Sequence, residues 1–236
     1  MELLPEYRAG SWCWSDHRGD VSVRFVGKGG AFDLETAVRA QLPAGVEPAW
    51  LRQVHSDRVV DASPGCCGEG DALWARDSGL GLAVVTADCV PVILAGREGV
   101  AVAHAGWRGV AAEIVAATLA RLGEPVQQVT AWIGPAIGRC CYEVGHDVAA
   151  RVVEAIAPGR RAGVLLAGPR DRPHLDLAAA VAAQLETQGI GEIQRVACCT
   201  RCSETMLWSY RRDGQQAGRN LALVWRGAKN RKGSAG

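Results

Sequence analysis

Two apolar runs constrain the fold of this chain most strongly, because each is too continuous for a half-exposed element. Residues 80–86 read Leu-Gly-Leu-Ala-Val-Val-Thr, and residues 100–103 read Val-Ala-Val-Ala. Apolar runs that do not alternate with polar residues are typical of strands buried on both faces. A sheet covered on both sides needs further layers of structure, so the runs favour a layered α/β or α+β fold.

Helices are expected between and after these strands. From Trp107 to Leu122, apolar residues recur at three-four spacing, which predicts one helix that Gly123 ends. Further helices are expected at about 147–156 and, after an Asp176 cap, at 177–188. Because hairpin-like strand pairs also occur, the fold is predicted to contain mixed β-sheets sandwiched by helices.

Several local patterns give more specific expectations. Residues 21–26 alternate apolar and polar side chains, which predicts a half-buried strand. Pro91 cannot donate to a strand ladder, so it is expected to separate the first apolar run from a strand at 92–94. Other expectations are a loop at 65–70, strands at 195–199 and 206–210, and an exposed loop at 159–172.

Length and composition limit the domain count and the class of partner. The chain has 236 residues, of which 48% are apolar, and this favours one catalytic domain over residues 1–227. The basic, Gly-rich residues 228–236 are expected to be a disordered tail. A net charge of +1 gives no case for nucleic acid or membrane binding. With no secretory signal and no membrane span in the sequence, a cytoplasmic protein is expected, and a monomer is favoured.

Nine cysteines are many for a cytoplasmic chain, and three pairs of them are adjacent in sequence. Apart from Cys89, they are expected to be buried small hydrophobes in a reducing compartment. Packing is also the expectation for Cys140, Cys141 and Tyr142. Cys199-Thr-Arg-Cys202 has metal-like spacing but lacks a second pair, so no second zinc site is expected.

Polar residues at the ends of three predicted strands mark the candidate site: His55, Cys89 and His104. Two imidazoles and a thiolate suit zinc, and three ligands leave a fourth position for water or substrate. The same residues also fit a cysteine nucleophile, Cys89, with His104 as its base. Spacing alone is weakly specific, since no short local zinc motif is present, and by itself it favours a core or hydrogen-bonding role for at least one of the two histidines.

The motifs around these residues resemble one family, variously called the YfiH, purine nucleoside phosphorylase or polyphenol oxidase (laccase-domain) family. The resemblance runs from about Trp50 to Trp225 in the family's order. It rests on Gln53-Val-His55, Thr86-Ala-Asp-Cys89, Ala103-His-Ala-Gly-Trp-Arg-Gly109, Ile133-Gly-Pro-Ala-Ile-Gly138, Cys141-Tyr-Glu-Val-Gly145 and Ser209-Tyr-Arg-Arg-Asp-Gly214. The N-terminal segment departs from the family pattern, because only Val26-Gly-Lys-Gly-Gly-Ala31 stands where the family has a longer loop.

The resemblance implies a fold of mixed sheets and helices, distantly like a cysteine deamidase toxin domain. It implies zinc held by His55, Cys89 and His104. It also implies phosphorolysis of adenosine, inosine and methylthioadenosine, and deamination of adenosine. The family has two other described activities. One is copper-dependent polyphenol oxidation, and the other is an amidase that corrects misincorporated serine in peptidoglycan precursors.

Four further residues have expected roles in or near the candidate site. Asp88 is expected either to shuttle a proton or to cap a turn. Arg108 is expected either to bind phosphate at the start of the long helix or to face solvent. Asp71 is expected to orient a ligand histidine, to stabilise a turn or to contact substrate, and Gln53 is expected to contact substrate.

Arg211 and Arg212 are expected to brace a hairpin by pairing with acids.

The sequence also bears on the alternatives to a zinc nucleoside enzyme. A multicopper phenol oxidase needs many histidines, and the chain has five. A non-catalytic interaction module explains polar residues at three strand ends poorly.

Overall fold

The computed structural model describes residues 2–29, 33–76, 79–168 and 171–227, and within these ranges the strands form two large sheets and one small one. The first sheet has seven strands, in the spatial order β1 (Glu6–Arg8), β2 (Ser11–Arg18), β3 (Val21–Val26), β15 (Asn220–Arg226), β8 (Leu80–Thr86), β4 (Glu47–Arg52) and β6 (Gly65–Glu69). The second has six strands, in the order β14 (Glu192–Arg195), β11 (Thr130–Ile133), β9 (Val90–Ala95), β10 (Val100–Ala105), β7 (Ala72–Ala75) and β5 (Val59–Asp61). Strands β12 (Leu165–Ala167) and β13 (Pro173–Leu175) pair with each other.

Both large sheets are mixed, as predicted. In the first sheet β4 runs parallel to β8 and β6, and the remaining pairs are antiparallel. In the second sheet β14 is parallel to β11 and β5 to β7, while the central strands are antiparallel. The helices are α1 (Leu34–Arg39), α2 (Trp107–Ala111), α3 (Ile114–Leu122), α4 (His146–Glu154), α5 (Leu177–Thr187) and α6 (Tyr210–Asp213).

Three hydrophobic clusters explain why the two apolar runs do not alternate. On β8, Leu82 and Val84 lie in the cluster between the sheets, whereas Ala83 packs toward α1 on the outer face. On β10, Val102 lies between the sheets, whereas Ala101 packs beneath α2 to α5. Each strand therefore contacts an apolar layer on both faces, which is the condition inferred from its sequence.

The expected long helix over 107–122 is wrong in one respect, because it is broken into α2 and α3. Glu113 between them has a φ of 59°, in the left-handed region. The helix α2 packs against α4, while α3 packs against β10 and β7. The three-four spacing continues across the break because both segments bury their apolar faces in the same cluster. Sequence periodicity records that common face but not the change of direction.

Other local expectations are also corrected. The stretch 65–69 is the edge strand β6, although it contains no β-branched residue. Pro91 lies inside β9 instead of before it, and the strand at 195–199 ends at Arg195. The expected strand at 206–210 is irregular chain that leads into α6. By contrast, β3, β8 and the Asp176 cap of α5 are confirmed.

Two expectations concern membrane spans and the C-terminal tail. Within the described ranges, no helix is both long and apolar enough to cross a membrane. The expected tail at 228–236 lies outside the described residues.

Candidate active site

The three expected metal ligands converge where the chain crosses from the first sheet to the second. Strand β8 of the first sheet turns directly into β9 of the second, and Cys89 lies in that turn. His104 lies on β10, opposite Pro91 of β9, and His55 lies in the loop after β4. The Cys89 Sγ is 4.0 Å from His55 Nε2, and ligand atoms of all three residues lie within 4.8 Å of one another.

Asp71 fixes the orientation of the buried histidine. Its carboxylate accepts a hydrogen bond from His104 Nδ1 at 2.9 Å, so the other ring nitrogen, Nε2, faces the ligand cluster. The backbone N–H groups of Val54, His55 and Ser56 and the Ser56 hydroxyl also donate to this carboxylate. Because Asp71 is fully buried and accepts these five bonds, the structure favours its orienting role over a substrate contact.

Unusual backbone conformations occur at the same place. The φ angle is 61° at His55 and 100° at Asp88, a region that non-glycine residues rarely occupy. At Gly106, an added Cβ would lie 3.0 Å from His55 Cδ2 and 3.1 Å from Cys89 Sγ, so glycine gives the two ligands room. Strain of this kind persists where surrounding contacts hold it, as the Asp71 network does for the His55 loop.

The electrostatics of the cluster favour a thiolate. Burial raises the pKa of the Cys89 thiol, but hydrogen bonds and charge from His104 and His55 outweigh it and bring the pKa to about 7. Burial lowers the pKa of His104, while hydrogen bonds to Asp71 and Cys89 raise it to about 9. Burial also raises the pKa of Asp71, yet its hydrogen bonds with His104 and Ser56 hold it well below the usual range. The thiolate is the form that serves both as a metal ligand and as a nucleophile.

The donor set and its spacing fit a zinc ion. Tetrahedral zinc, with Zn–S of about 2.3 Å and Zn–N of about 2.0–2.1 Å, places sulfur and nitrogen ligands about 3.6 Å apart. The 4.0 Å between Cys89 Sγ and His55 Nε2 is within a few tenths of an ångström of that value. His55 is exposed and Cys89 half-buried, so the fourth position faces accessible space. A thiolate with two imidazoles also suits copper.

Asp88 is held by residues far away in sequence. Its carboxylate accepts from Thr200 Oγ1 and from the backbone N–H of Arg211, both at 2.6 Å, and its carbonyl accepts from the Ile137 N–H. The carboxylate bonds therefore join the turn to remote residues and do not cap the local backbone amides of the turn, which was the capping expectation. They also fix the turn that carries Cys89, while proton transfer by Asp88 stays a prediction.

A cationic and aromatic rim adjoins the ligands, and part of it was missed by sequence reasoning. Burial raises the pKa of Tyr142 to about 12, with Cys89 and Asp88 raising it further and Arg211 and Arg108 opposing them, which places these groups near one another. The Arg211 guanidinium lies 5.2 Å from the centre of the Tyr142 ring. The only signals in the sequence are the Cys141-Tyr-Glu143 and Tyr210-Arg-Arg212 stretches, for which packing and a hairpin are the expectations.

The two arginines of α6 behave differently from each other. Arg212 does pair with Asp213, at 2.7 Å, as expected. Arg211 instead donates through its side chain to the Glu143 carbonyl and lies over Tyr142. Both belong to a short helix and not to a hairpin.

Two expected substrate contacts remain predictions. Arg108 is exposed at the start of α2, with its guanidinium 4.5 Å from the Trp107 ring centre. The Gln53 amide makes two hydrogen bonds to the main chain of Val85, which tie the end of β4 to β8. A cavity of about 480 Å³ lies on the outer face of the first sheet beside α1, and its lining includes Val85 but none of the three ligands.

The expectation that Cys199 and Cys202 lack a second pair is wrong. Cys140 and Cys141 are brought beside them, and ligand atoms of the four lie within 4.8 Å of one another. Cys140 and Cys202 are exposed, so these thiols are not simply buried apolar side chains. The two pairs are about 60 positions apart in sequence, and no spacing rule links them.

The chain belongs to the family described as multi-copper polyphenol oxidoreductase laccase, whose match covers residues 33–227. It is 39% identical over 180 residues to a purine nucleoside phosphorylase of Pseudomonas aeruginosa, which covers 75% of this chain and 74% of that protein.

Two further comparisons extend over more of the chain. An adenosine deaminase of an unknown prokaryotic organism is 32% identical over 233 residues, or 89% of this chain and 85% of that protein. The crystal structure of the Neisseria meningitidis protein NMB0706 superposes with a TM-score of 0.81 at 29% identity, covering 92% of this chain and 99% of that one. The resemblance in the motifs and the expected fold are thereby confirmed.

Proposed function

We propose that this chain is a zinc-dependent purine nucleoside enzyme. In the first reaction, adenosine, inosine or methylthioadenosine and phosphate give the free base and the pentose 1-phosphate. In the second, adenosine and water give inosine and ammonia. The observation that carries the proposal is the open cluster of His55, Cys89 and His104, in a chain whose relatives are named for these two activities.

The residues of the cluster divide the work of binding. His55, Cys89 and His104 would hold the zinc, and Asp71 keeps the His104 ring turned toward it. A zinc ion bound there would supply Lewis-acid chemistry at the open position. Because a zinc ligand must be deprotonated, the raised pKa of His104 makes a proton compete with the metal, and binding should weaken as pH falls.

The rim supplies groups that suit the two substrates. The guanidinium groups of Arg108 and Arg211 provide positive charge for phosphate. The Tyr142 ring offers an aromatic face on which a purine can stack. Asp88 lies beside these groups and would accept a proton from the substrate. Its carboxylate also accepts two hydrogen bonds that hold the turn.

Copper-dependent phenol oxidation is a second candidate, favoured by the description of the family. The remaining histidines do not support a copper cluster. His17, His146 and His174 hydrogen-bond to Ser22 Oγ and to the carbonyls of Asp171 and Arg139, respectively. One copper ion at the three-ligand site would permit slow oxidation only.

A cysteine hydrolase is a third candidate, and a specific observation favours it. Cys89 hydrogen-bonds with His104, and His104 with Asp71. This is the arrangement of a nucleophile, its base and a carboxylate that orients the base. This class includes the amidase activity toward misincorporated serine that the resemblance also implies. The candidate requires a free thiolate, whereas the zinc enzyme requires a ligated one.

Metal analysis followed by product analysis separates the three candidates. We expect untagged protein to contain zinc, to convert adenosine and phosphate to adenine and ribose 1-phosphate, and to lose activity on chelation and regain it with zinc. Copper in place of zinc at His55, Cys89 and His104, with phenol oxidation and no purine products, would support the second candidate. Full activity in excess chelator without bound metal would support the third.

A further inference from the structure

The four-cysteine cluster, Cys140, Cys141, Cys199 and Cys202, lies outside the candidate active site, and we propose that it is a second, structural zinc site. Cys202 Sγ is 3.4 Å from Cys141 Sγ and 3.7 Å from Cys140 Sγ. Zinc with four thiolates at about 2.3 Å places its sulfur atoms about 3.8 Å apart in a tetrahedron. All four sulfur atoms lie within 4.8 Å of one another, so small side-chain shifts close the site.

Two loops bring the cysteine pairs together. Cys140 and Cys141 lie in a turn closed by hydrogen bonds from the N–H groups of Cys141 and Tyr142 to the Gly138 carbonyl. The second pair lies in a turn in which the Ser203 N–H donates to the Cys199 carbonyl. A backbone bridge pairs Ala136 with Cys199 and aligns the loops. The ligands are therefore preplaced by main-chain contacts.

The surroundings of the Cys199 sulfur suit a thiolate. The Gly138 N–H donates to Cys199 Sγ at 3.2 Å, as backbone amides do to anionic acceptors. A Cβ at Gly138 would lie 3.2 Å from Cys199 Cβ and 3.3 Å from Cys140 Sγ, so glycine permits the close approach. Four thiolates and a divalent ion carry a net charge of −2, and the Arg201 side chain, which hydrogen-bonds to Cys141, offsets part of it.

The donor set decides the type of site. Four sulfur ligands fill a tetrahedron, so no position is left for water or substrate, and such closed sites are structural. Burial does not explain the cluster, because Cys140 and Cys202 are exposed. The loop it fastens also carries Thr200, whose hydroxyl donates to Asp88. Fastening this loop would support the turn next to Cys89.

Zinc content separates this site from the site of the proposed function. We expect about two zinc ions per chain in the untagged protein and about one in Cys199→Ser and in Cys202→Ser. Cys66→Ser is the matched control, because Cys66 is exposed on β6 outside both clusters, and it should retain about two. In the double variant Cys89→Ala/His104→Ala, X-ray absorption should show one zinc with four sulfur ligands at about 2.3 Å.

Alkylation of the wild-type protein provides a test that does not depend on folding of the variants. The peptides that contain the four cysteines should resist iodoacetamide relative to Cys66 until zinc is chelated. Three results would overturn the proposal: zinc content unchanged in both Cys199→Ser and Cys202→Ser, labelling of the four cysteines as fast as that of Cys66 in zinc-loaded protein, or a disulfide from Cys202 to Cys140 or Cys141 in the purified chain. Each leaves the zinc count at His55, Cys89 and His104 unaffected.

Discussion

The two sulfur-containing clusters of this chain differ in how the fold supports them. His104 lies on β10 and Cys89 in the tight turn between β8 and β9, and a fully buried carboxylate orients His104. The four-cysteine cluster is carried by two loops, and half of its thiols are exposed. The first offers three mixed ligands and an open position, whereas the second offers four identical ligands and none. A rigidly held site with a vacant coordination position suits catalysis. A site whose four positions are all filled by protein suits a structural role that joins two loops.

The largest effect is expected from removing a ligand of the open cluster. Cys89→Ala and His104→Ala should each lower purine nucleoside turnover at least about a thousandfold, or ~4 kcal/mol of transition-state stabilisation. Both should stay folded, because the three hydrophobic clusters do not depend on this metal. Steady-state kinetics and circular dichroism check this, with Cys66→Ala as the control. Unfolding of both variants would mean that the open cluster is structural.

A smaller effect is expected from Asp71→Asn, which removes the carboxylate that orients His104 but leaves His55, Cys89 and His104 in place. An amide cannot replace an acceptor of five hydrogen bonds, so zinc affinity should fall about 10- to 100-fold. The free energy of unfolding should fall by about 2–3 kcal/mol, since hydrogen bonds to a buried charge are lost. Competition with a zinc chelator and urea titration measure the two quantities.

The same variant also tests how the free energy of unfolding falls at acid pH. The pKa of Asp71 is lowered in the folded state, so its contribution is present above the unfolded value of about 3.9 and is lost as pH falls. Asp71→Asn should therefore lose less stability than wild type as pH falls through about 4 and below. An equally steep loss of stability in both proteins would show that other carboxylates dominate the loss at acid pH.

Arg108→Ala should act on one substrate of the open cluster only. If its guanidinium binds phosphate, phosphorolysis should fall about tenfold, or ~1.4 kcal/mol, with little change in deamination. Arg52→Ala is the matched control, because Arg52 is also an exposed arginine and its side chain pairs with Glu69 at 3.0 Å. Equal loss of both reactions would remove Arg108 from the phosphate role.

The smallest difference concerns the reactivity of Cys89 with and without zinc. With zinc bound, the peptide that contains Cys89 should resist iodoacetamide. In metal-free protein its labelling should rise with pH around a midpoint of about 7, because His104 and His55 stabilise the thiolate. Mass spectrometry of the labelled peptide gives the rate at each pH. Rapid labelling at full zinc occupancy would favour the cysteine hydrolase.

Much of this fold could be predicted because local sequence records burial. The runs at 80–86 and 100–103 predicted strands covered on both faces, and Leu82 and Ala83 do pack into different layers. The break at Glu113 could not be predicted, because a period of 3.6 residues continues through it. The strand at 65–69 was missed because it is held at a sheet edge by pairing with β4 and not by its own propensity.

The sequence by itself singled out His55, Cys89 and His104, since polar residues that end apolar strands stand out against their neighbours. It also determined the mixed-sheet class and, through the motifs, the family. Only the tertiary structure decided which loops meet. It placed Cys140 and Cys141 beside Cys199 and Cys202, and it brought Tyr142 and Arg211 to the rim of the site. The physical reason is that strand burial leaves a periodic local pattern, whereas contacts between distant loops depend on how the sheets pack and leave no local pattern.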